Sequence, residues 1–592
     1  MRSEYKTEWD LSHIYKKNPE KESSKDCRYL EKIYNAFTKK YGRKKEYTKS
    51  PRALAKAIED YEKLVKDRRI ERPHLYYTYK IVLNSGDDKS RAKLLKLSEF
   101  QTDLSNRIIF FILDIGQIPK KVQKKFLKSK ELQEFRYFLY RIFKNAEHQL
   151  TEAEEKIMNL KSLPAHGLWV SGSSKLRSKQ IVEFEGKTIP ITEASAMIAT
   201  LPKTKRHKLY ENVTNTLKKI SDFAESEINS IVINKKINDK LRGFKLPYES
   251  TILSYENEIK TLDSLLEAVN KNMGIAHRFY KIKAKMLSEQ KLLYADRSIS
   301  VGNIKFKIPI KDGVRKIILA FNQADKEFGS FVSDSFKNGL VDVFPKKGKG
   351  EGASCSTGTG LPSYILLNHI NDFRSLTTLA HEMGHAIHGK YSRSQRPLYE
   401  GHTTSTAEVA STFFENLVFD QELSDAEDRE KMILLHNKIS DDISTIFRQI
   451  ACFNFELELH NTIRKEGFLP KERIAELMNK HMKSYLGPVF KLVPDDGYTF
   501  VSWSHIRRFF YVYSYAFGQL ISSTLYEQYR KDRAQIKNVI KFLSAGRSDS
   551  PENIFKSIGI KLNKKFFETG LQRIRQNINE LERLWKKSKT KR

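Results

Sequence analysis

Residues 376–388 read LTTLAHEMGHAIH. Apolar side chains recur there at steps of three and four, at Leu376, Leu379, Met383 and Ile387, which is the period of one helical face. The three histidines of the stretch fall on the opposite side. The sequence therefore predicts an amphipathic helix with an apolar back and a histidine front, around which the rest of a mainly helical fold is built.

The spacing of His381, Glu382 and His385 predicts a metal site on this helix. Two imidazoles four residues apart project in the same direction and can converge on one zinc ion, which is why the His-Glu-x-x-His pattern recurs in metallopeptidases. Glu382 lies on the adjacent arc and can reach an attacking water. The alternative is an ordinary helix with core or surface histidines, and chance alone supplies such a pattern in about 3% of sequences of this composition.

A catalytic zinc needs a third protein ligand, and His388 is a poor candidate for it. His388 lies about 4.5 Å further along the helix axis than His385, too far to join a pair focused between His381 and His385. The metzincin arrangement is also absent, because it requires a glycine at position 388 and a histidine at position 391, where the chain has Tyr391. We expect His388 to support the site rather than to ligate.

The better third ligand is Glu408, on a second predicted helix whose start is signalled by Ser405 and Thr406. Glu408 and Glu415 are seven residues apart and share a helical face, which suits one ligand and one supporting carboxylate. A solvated acidic position is the alternative for Glu415. The predicted metal ligands are therefore His381, His385 and Glu408.

The bulk composition is that of a globular, mostly helical protein. The 592 residues are 39% hydrophobic and 30% charged, with only 27 Gly and 16 Pro. The formal net charge of +34 could indicate a nucleic-acid or membrane partner, but the lysines are spread along the whole chain and no zinc-finger or aromatic RNA-binding signature is present. We therefore expect neither nucleic acid nor a membrane as a partner.

Cysteine usage favours a reducing compartment. Cys27, Cys355 and Cys452 are odd in number and far apart, so a disulfide framework is not expected. The first ten residues lack the apolar core of a secretion signal, and no later stretch approaches 18 consecutive apolar residues. The sequence predicts a cytoplasmic protein. Cys355 has no identifiable partner base, so a buried or incidental thiol is expected there.

Along the chain we predict three regions. Residues 1–110 form an N-terminal helical region, residues 111–200 a helical region with a β-hairpin, and residues 201–592 a helical catalytic domain. The hairpin is expected at residues 181–191, which alternate in polarity and turn at Glu-Gly-Lys. A glycine-rich segment at residues 348–360 interrupts the helices before a strand-like apolar run.

Three stretches in this order resemble the oligoendopeptidase F family, within the thimet oligopeptidase-like zinc metallopeptidases. They are Leu379 to His388, Ala407 to Glu415 and Phe510 to Gly518, and the likeness runs from Trp9-Asp10-Leu11 to residues 542–546. The resemblance implies a large helical two-lobed body enclosing a deep channel, with a small β-sheet and an edge strand beside the zinc helix. It also implies a zinc endopeptidase that acts on short oligopeptides.

The resemblance implies roles for particular residues. One zinc ion per chain is held by His381, His385 and Glu408, and Glu382 is the general base. The edge strand that aligns the substrate backbone falls on Tyr364 to Asn368. Donors to the transition state come from a histidine and one or more tyrosines late in the chain.

We assign the transition-state hydrogen-bond donors to His505 and Tyr511. Tyr515 is the next candidate after Tyr511. The stretch around His505 departs from the usual family pattern at Ser504 and Arg507. Tyr511 and Tyr515 are four residues apart and share a face if that segment is helical. We expect His505 and Tyr511 to stabilise the developing oxyanion, by roughly 3 kcal/mol for each well-placed donor.

Two other functions remain open at this point. A helical zinc carboxypeptidase or dipeptidase can share the same ligands, but it needs a cationic group that holds the peptide C-terminus. A basic nucleic-acid-binding protein with a non-catalytic zinc is the alternative that the net charge suggests.

Overall fold

The computed structural model describes residues 5–42, 44–302 and 307–590. The protein is about 73% helical and has only small sheets, so the predicted mainly α class is confirmed. Helices α1 (Pro19–Tyr41) and α2 (Pro51–Val65) begin in the same way, with a polar cap followed by proline. The side chains of Asn18 and Ser50 accept hydrogen bonds from the backbone amides three residues on. In the described part of the chain, no helix combines the length and apolar character that a membrane span requires.

The N-terminal half of the chain contains the first fourteen helices and one hairpin. The elements are α1 (Pro19–Tyr41), α2 (Pro51–Val65), α3 (Arg72–Leu83), α4 (Asp88–Gly116), α5 (Lys120–Phe126), α6 (Arg136–Asn145), α7 (Glu152–Ser162), α8 (Leu168–Ser178), β1 (Ile181–Phe184), β2 (Lys187–Pro190), α9 (Ile191–Met197), α10 (Lys203–Lys219), α11 (Ser221–Leu241), α12 (Glu249–Ser254), α13 (Ile259–Lys271) and α14 (Gly274–Met286).

The C-terminal half contains the second sheet and the remaining helices. The elements are α15 (Ile310–Ala324), α16 (Lys326–Lys337), β3 (Val341–Asp342), β4 (Ser354–Ser356), β5 (Tyr364–Leu366), α17 (Phe373–Ser392), α18 (Thr404–Asp425), α19 (Asp428–Thr445), α20 (Phe447–Glu466), α21 (Lys471–Leu486), α22 (Tyr513–Lys531), α23 (Ile536–Ala545), α24 (Pro551–Ser557) and α25 (Lys564–Thr590).

The described residues form two compact units, each discontinuous in sequence. Unit 1 comprises residues 5–42, 44–160, 307–422 and 525–560, and unit 2 comprises residues 161–302, 423–524 and 561–590. Both units are assembled from distant parts of the chain. The sequence analysis divides the chain into three consecutive regions, whereas these units are each built from separate segments. The three regions therefore stay a prediction.

Unit 1 contains a large aromatic core and a small sheet. The core lies among α1, α2, α4 and α6. It includes Phe37, Tyr61, Phe111 and Phe138, whose rings pack in edge-to-face, tilted and stacked pairs. In the sheet the strand order is β3-β5-β4, with β3 parallel and β4 antiparallel to β5. Both β4 and β5 pack against α17. A small sheet therefore lies beside the predicted zinc helix, as expected.

The N-terminal segment holds this sheet in place. The indole nitrogen of Trp9 donates a hydrogen bond to the carbonyl of Ile365 at 2.8 Å, and the Tyr364 hydroxyl donates to the carbonyl of Asp10 at 2.8 Å. The rings of Trp9 and Tyr79 both pack on Tyr364. These long-range contacts give the Trp-Asp-Leu sequence near the start of the chain a structural role.

Unit 2 has a core of long helices, in which α11, α20 and α21 pack on one another. The hairpin β1–β2 packs against α10, and its antiparallel register pairs Ile181 with Pro190. Glu185 and Gly186 form the turn with positive φ angles of 51° and 74°, a conformation that favours glycine. The predicted hairpin is thus confirmed at its predicted position.

Candidate metal centre and active site

Helix α17 presents its histidines because its opposite face is anchored in the core of unit 1. The Asp372 side chain caps the helix by accepting a hydrogen bond from the Ser375 amide at 2.8 Å. All four apolar residues predicted for the helix back are fully buried, namely Leu376, Leu379, Met383 and Ile387. The rings of His381 and His385 lie on the half-exposed side, with centroids 4.9 Å apart.

Helix α18 approaches α17 most closely at Gly384, between the two histidines. A Cβ atom placed on Gly384 would lie 2.7 Å from the Ser411 Cα and 3.2 Å from the Ala410 carbonyl. Real Cβ atoms do not come that close to backbone, so only glycine permits this crossing. The close approach brings Glu408 of α18 to the histidines of α17.

We expect Gly384→Ala to weaken both the fold and the metal site. Alanine is favoured over glycine in a helix by roughly 0.5–1 kcal/mol, but here its methyl group collides with backbone, and overpacking of this kind costs about 1–3 kcal/mol. The cost of the clash should exceed the gain in helix propensity, so we expect α18 to be displaced. Thermal unfolding and zinc titration would measure both effects.

Gly172→Ala is the matched control, because Gly172 is also helical but its Cβ would meet only the Phe223 ring, at 3.7 Å. That variant should unfold at or above the wild-type temperature. A Gly384→Ala protein with wild-type stability and zinc affinity would contradict the close-packing argument.

The two helices bring together the three predicted metal ligands. One ligand atom from each of His381, His385 and Glu408 lies within 4.8 Å of the others, and this is the one such group of three or more among the described residues. The His381 Nε2 is 3.4 Å from the Glu408 Oε2. Two imidazoles and one carboxylate form a usual protein ligand set of a catalytic zinc, which keeps a fourth position open for water or substrate. The residues present therefore fit a zinc ion.

The charges of the group match this interpretation. Burial disfavours the charged forms, but the carboxylates of Glu408 and Glu415 overcome it and raise the pKa of His381 well above its usual value. Glu408 accepts a hydrogen bond from His381 and lies within the electrostatic influence of His385. Both effects lower its pKa, to about 2, although burial acts in the opposite direction. Burial lowers the pKa of His385 to about 3.

A second carboxylate orients His381. The Oε2 of Glu415 lies 3.4 Å from the Nδ1 of His381, on the far side of the ring from Glu408. A partner at one ring nitrogen fixes the orientation of an imidazole and leaves the other nitrogen for the metal. The seven-residue spacing of Glu408 and Glu415 therefore places one carboxylate at each nitrogen of the same ring.

Glu382 is buried between the ligands and the small sheet. Its carboxylate accepts a hydrogen bond from the backbone amide of Cys355 in β4. Burial, together with the Glu408 carboxylate and against the effect of His381, raises the pKa of Glu382 to about 7. Burial also raises the pKa of the Cys355 thiol, with a further contribution from Glu382. Cys355 is therefore a protonated thiol, and its backbone amide donates to Glu382.

The assignment of the edge strand to Tyr364–Asn368 is wrong. Strand β5 (Tyr364–Leu366) is the middle strand of the sheet and all three of its residues are buried. Strand β4 (Ser354–Ser356) is an outer strand, and its second edge pairs with no other strand in the described part of the chain. An apolar run indicates a strand buried on both faces, but it does not say which neighbours the strand has. The sequence feature that indicates the edge strand is the short polar run Ser-Cys-Ser at residues 354–356, because edge strands are often short and polar.

His388 lies outside the ligand group, as the sequence predicted. It is buried, and its ring stacks on His402 with centroids 4.1 Å apart and an angle of 11° between the planes. The Phe542 ring lies 5.1 Å away on α23. Burial lowers the pKa of both histidines, so both rings are neutral and pack as flat aromatic groups beneath the metal site.

In unit 2, the structure brings His505 and Tyr511 into direct contact. The His505 Nδ1 shares a short hydrogen bond with the Tyr511 hydroxyl, and the Tyr515 hydroxyl is 3.5 Å from that of Tyr511. Burial lowers the pKa of His505 to about 4 and raises that of Tyr511. The pair is therefore neutral and carries two protons. One lies in the internal hydrogen bond, so the pair directs a single N–H or O–H outward.

The departure from the family pattern at Arg507 has a structural explanation. Arg507 is buried and makes two hydrogen bonds to Glu227, at 2.9 and 2.7 Å, while it also donates to the carbonyls of Phe500 and Trp503. Such a paired and fully hydrogen-bonded guanidinium can be buried. Tyr513 likewise has a structural contact, since its hydroxyl donates to Asn257 at 2.8 Å. Neither residue joins the pair of candidate donors.

Comparison with known proteins identifies the family. The sequence profile of Peptidase family M3 matches residues 199–571, and that of Oligopeptidase F matches residues 114–174. A Borreliella burgdorferi protein named oligoendopeptidase F homolog is 26% identical over 581 residues, which cover 94% of each chain.

Solved structures share the fold along nearly the whole chain. The crystal structure of a putative peptidase from Chlamydophila abortus has a TM-score of 0.81 at 19% identity and covers 98% of both chains. That of oligoendopeptidase-F from Enterococcus faecium has a TM-score of 0.74 at 18% identity and covers 96% of this chain and 100% of the other.

The helical fold, the His-Glu-x-x-His helix and the opposing carboxylate helix define a metallopeptidase. The match over more than half of the chain is to a single family. The chain belongs to peptidase family M3 and, within it, to the oligoendopeptidase F group, so it is an oligopeptide-cleaving metallo-endopeptidase. The resemblance found in the sequence is confirmed.

Proposed function

We propose that the protein hydrolyses internal peptide bonds of short oligopeptides with one zinc ion held by His381, His385 and Glu408. The observation that carries the proposal is the convergence of these three donors within 4.8 Å, next to a buried glutamate on the same helix. When bound, zinc polarises the scissile carbonyl and makes water a usable nucleophile at neutral pH. Glu415 keeps the His381 ring oriented for this task.

Glu382 is the general base in this proposal. Its carboxylate takes a proton from the attacking water and passes it to the leaving amine. The hydrogen bond from the Cys355 amide holds one side of the carboxylate against β4. Because Glu382 is 7% exposed, bulk water does not compete for its other side.

The free edge of β4 is the surface that we propose for the substrate backbone. An extended peptide can add to an exposed strand edge through main-chain hydrogen bonds, which recognise any sequence. Glu382 touches this strand, so a peptide paired with β4 would place one of its bonds near the general base. Alignment of the substrate backbone is thus proposed for β4 instead of β5.

His505 and Tyr511 supply the donor for the developing oxyanion. Because the two share one internal hydrogen bond, the pair offers one outward donor at a time, and we expect its contribution to be roughly 3 kcal/mol rather than twice that. Because this donor is expected to act on the transition state, its loss should appear mainly in kcat.

Chelation and zinc restoration, measured on an internally quenched peptide with a blocked C-terminus, test the proposal. We expect cleavage inside the blocked peptide, loss of cleavage with a chelator, and recovery with about one Zn²⁺ per chain. Cleavage that persists in chelator would rule out the metal mechanism. Cleavage only of peptides with a free C-terminus would instead indicate a carboxypeptidase.

The compartment that we propose is the cytoplasm. All three cysteines, Cys27, Cys355 and Cys452, are free thiols. Free thiols in a protein of this size suit a reducing environment. Short peptides released by other proteases are the substrates that such a compartment supplies.

A further inference from the structure

The chain reverses direction between His505 and Tyr511 through two residues in the left-handed conformation. Phe509 and Phe510 have φ angles of 45° and 61°. Bulky L-residues disfavour this conformation, and two in succession are retained only where the surroundings hold them. The reversal is what lets the Tyr511 hydroxyl reach the His505 ring six residues earlier.

Two side chains from other helices hold this reversal. The Glu456 Oε1 on α20 accepts a hydrogen bond from the Phe510 amide at 2.8 Å, and the Thr251 hydroxyl on α12 donates to the Phe509 carbonyl at 2.9 Å. The Phe510 ring is fully buried and packs on Phe453 at 5.4 Å. The backbone polar groups on both sides of the strained bond are thus occupied.

Glu456 is unusual among the buried carboxyl groups of unit 2. It is fully buried, its Oε2 has no hydrogen-bond partner among the described residues, and the nearest histidine nitrogen, in His460, is 3.9 Å from its Oε1. Burial raises the pKa of Glu456 well above its usual value. Burying such a group is costly, and its one close hydrogen bond is to the strained turn.

We propose that Glu456 is a positioning residue for peptide hydrolysis, which fixes the Phe509–Phe510 turn through the Phe510 amide and so keeps Tyr511 against His505. The inference rests on the proposed donor role of that pair. Glu456 touches neither donor side chain in the described contacts. Its effect on the reaction therefore passes through the backbone of the turn.

The variants Glu456→Gln and Glu456→Met separate positioning from charge. Glutamine keeps a carbonyl oxygen for the Phe510 amide and resembles the protonated acid, so its kcat should stay near the wild-type value. Methionine has similar volume but no comparable acceptor, so its kcat should fall roughly 10- to 100-fold, the size expected when a catalytic group is misplaced. KM and zinc content should be unchanged.

Asn229→Leu is the matched control. Asn229 is also buried in unit 2 and its side chain accepts a hydrogen bond from a backbone amide, that of Leu469, at 2.9 Å. This variant should lose stability without losing kcat. Hydrogen exchange of the Phe510 amide should accelerate in Glu456→Met and stay slow in Asn229→Leu, a difference that general destabilisation would not produce.

A double-mutant cycle with Tyr511→Phe decides whether Glu456 acts through the donor pair. If it does, Glu456→Met combined with Tyr511→Phe should have a kcat within about threefold of Tyr511→Phe alone. Additive losses, an unchanged kcat in Glu456→Met, or an equal loss in Asn229→Leu would each overturn the inference. If Glu456→Met does not fold, Thr251→Val removes the other contact of the turn and carries the same expectations.

The same cycle keeps this inference separate from the proposed function. A wild-type kcat in Tyr511→Phe and in His505→Ala would show that the donor role itself is wrong, whatever Glu456 does. A low kcat in those two variants with a normal kcat in both Glu456→Met and Thr251→Val would leave the donor role intact and remove the positioning role alone.

Discussion

Glu382→Gln should lower kcat by about 10³-fold or more and leave the zinc content at one ion per chain. The amide cannot accept the proton of the attacking water, and general base catalysis by one side chain contributes roughly 10²–10⁴-fold. Glutamine has nearly the same shape and can still accept the Cys355 amide hydrogen bond, so the fold and the ligand group should be preserved. Steady-state kinetics and metal analysis of the same preparation measure both effects.

Glu422→Gln is the matched control for that experiment. Glu422 is also a buried glutamate of unit 1, but it pairs with Lys316 at 2.7 Å and does not contact the ligand group. Its kcat should be close to that of the wild type. Normal peptide cleavage by Glu382→Gln would remove the proposed base.

Glu408→Ala should abolish stoichiometric zinc binding and, with it, peptide hydrolysis. The variant removes one of the three proposed ligands and the carboxylate that lies against the Nε2 of His381. Loss of a supporting partner behind a ligand typically costs 10- to 100-fold in metal affinity, and loss of a ligand should cost more than that. Competition with a chromogenic zinc chelator measures the affinity directly, without reference to activity.

Glu415→Gln distinguishes the ligand from its supporting carboxylate. It keeps a polar group at the Nδ1 of His381, so its zinc affinity should fall by no more than about 10- to 100-fold, and excess zinc should restore activity. Equal losses in Glu408→Ala and Glu415→Gln would show that the two carboxylates have been assigned the wrong roles. Wild-type affinity in Glu408→Ala would exclude Glu408 as a ligand.

The histidine helix was readable from sequence because its geometry is local. A spacing of four residues places His381 and His385 one above the other on any helix, and the apolar residues behind them fix which side faces the core. The β-hairpin at residues 181–190 was readable for the same reason, since its turn and alternation involve only neighbouring residues. Glu408 required a further assumption, that two helices cross.

The edge strand was misassigned because sheet order is not a local property. The apolar run at β5 correctly indicates a strand, but its place in the middle depends on hydrogen bonds to β3 and β4. The spacing of Tyr511 and Tyr515 suits one helical face, but α22 begins only at Tyr513, so Tyr511 precedes the helix. The left-handed pair that precedes it is held by Glu456 and Thr251, which lie more than fifty residues away in sequence.

The sequence by itself determined the family, the mainly helical class, and the positions of both histidines and of Glu382 on one helix, because helical periodicity is set by the backbone of consecutive residues. Only the tertiary structure decided that α18 packs closely on α17 at Gly384 and so brings Glu408 next to those histidines. It also decided that β4 is the free edge and that His505 and Tyr511 meet across a strained turn. Those features depend on contacts between residues far apart in the chain, whose geometry no local pattern specifies.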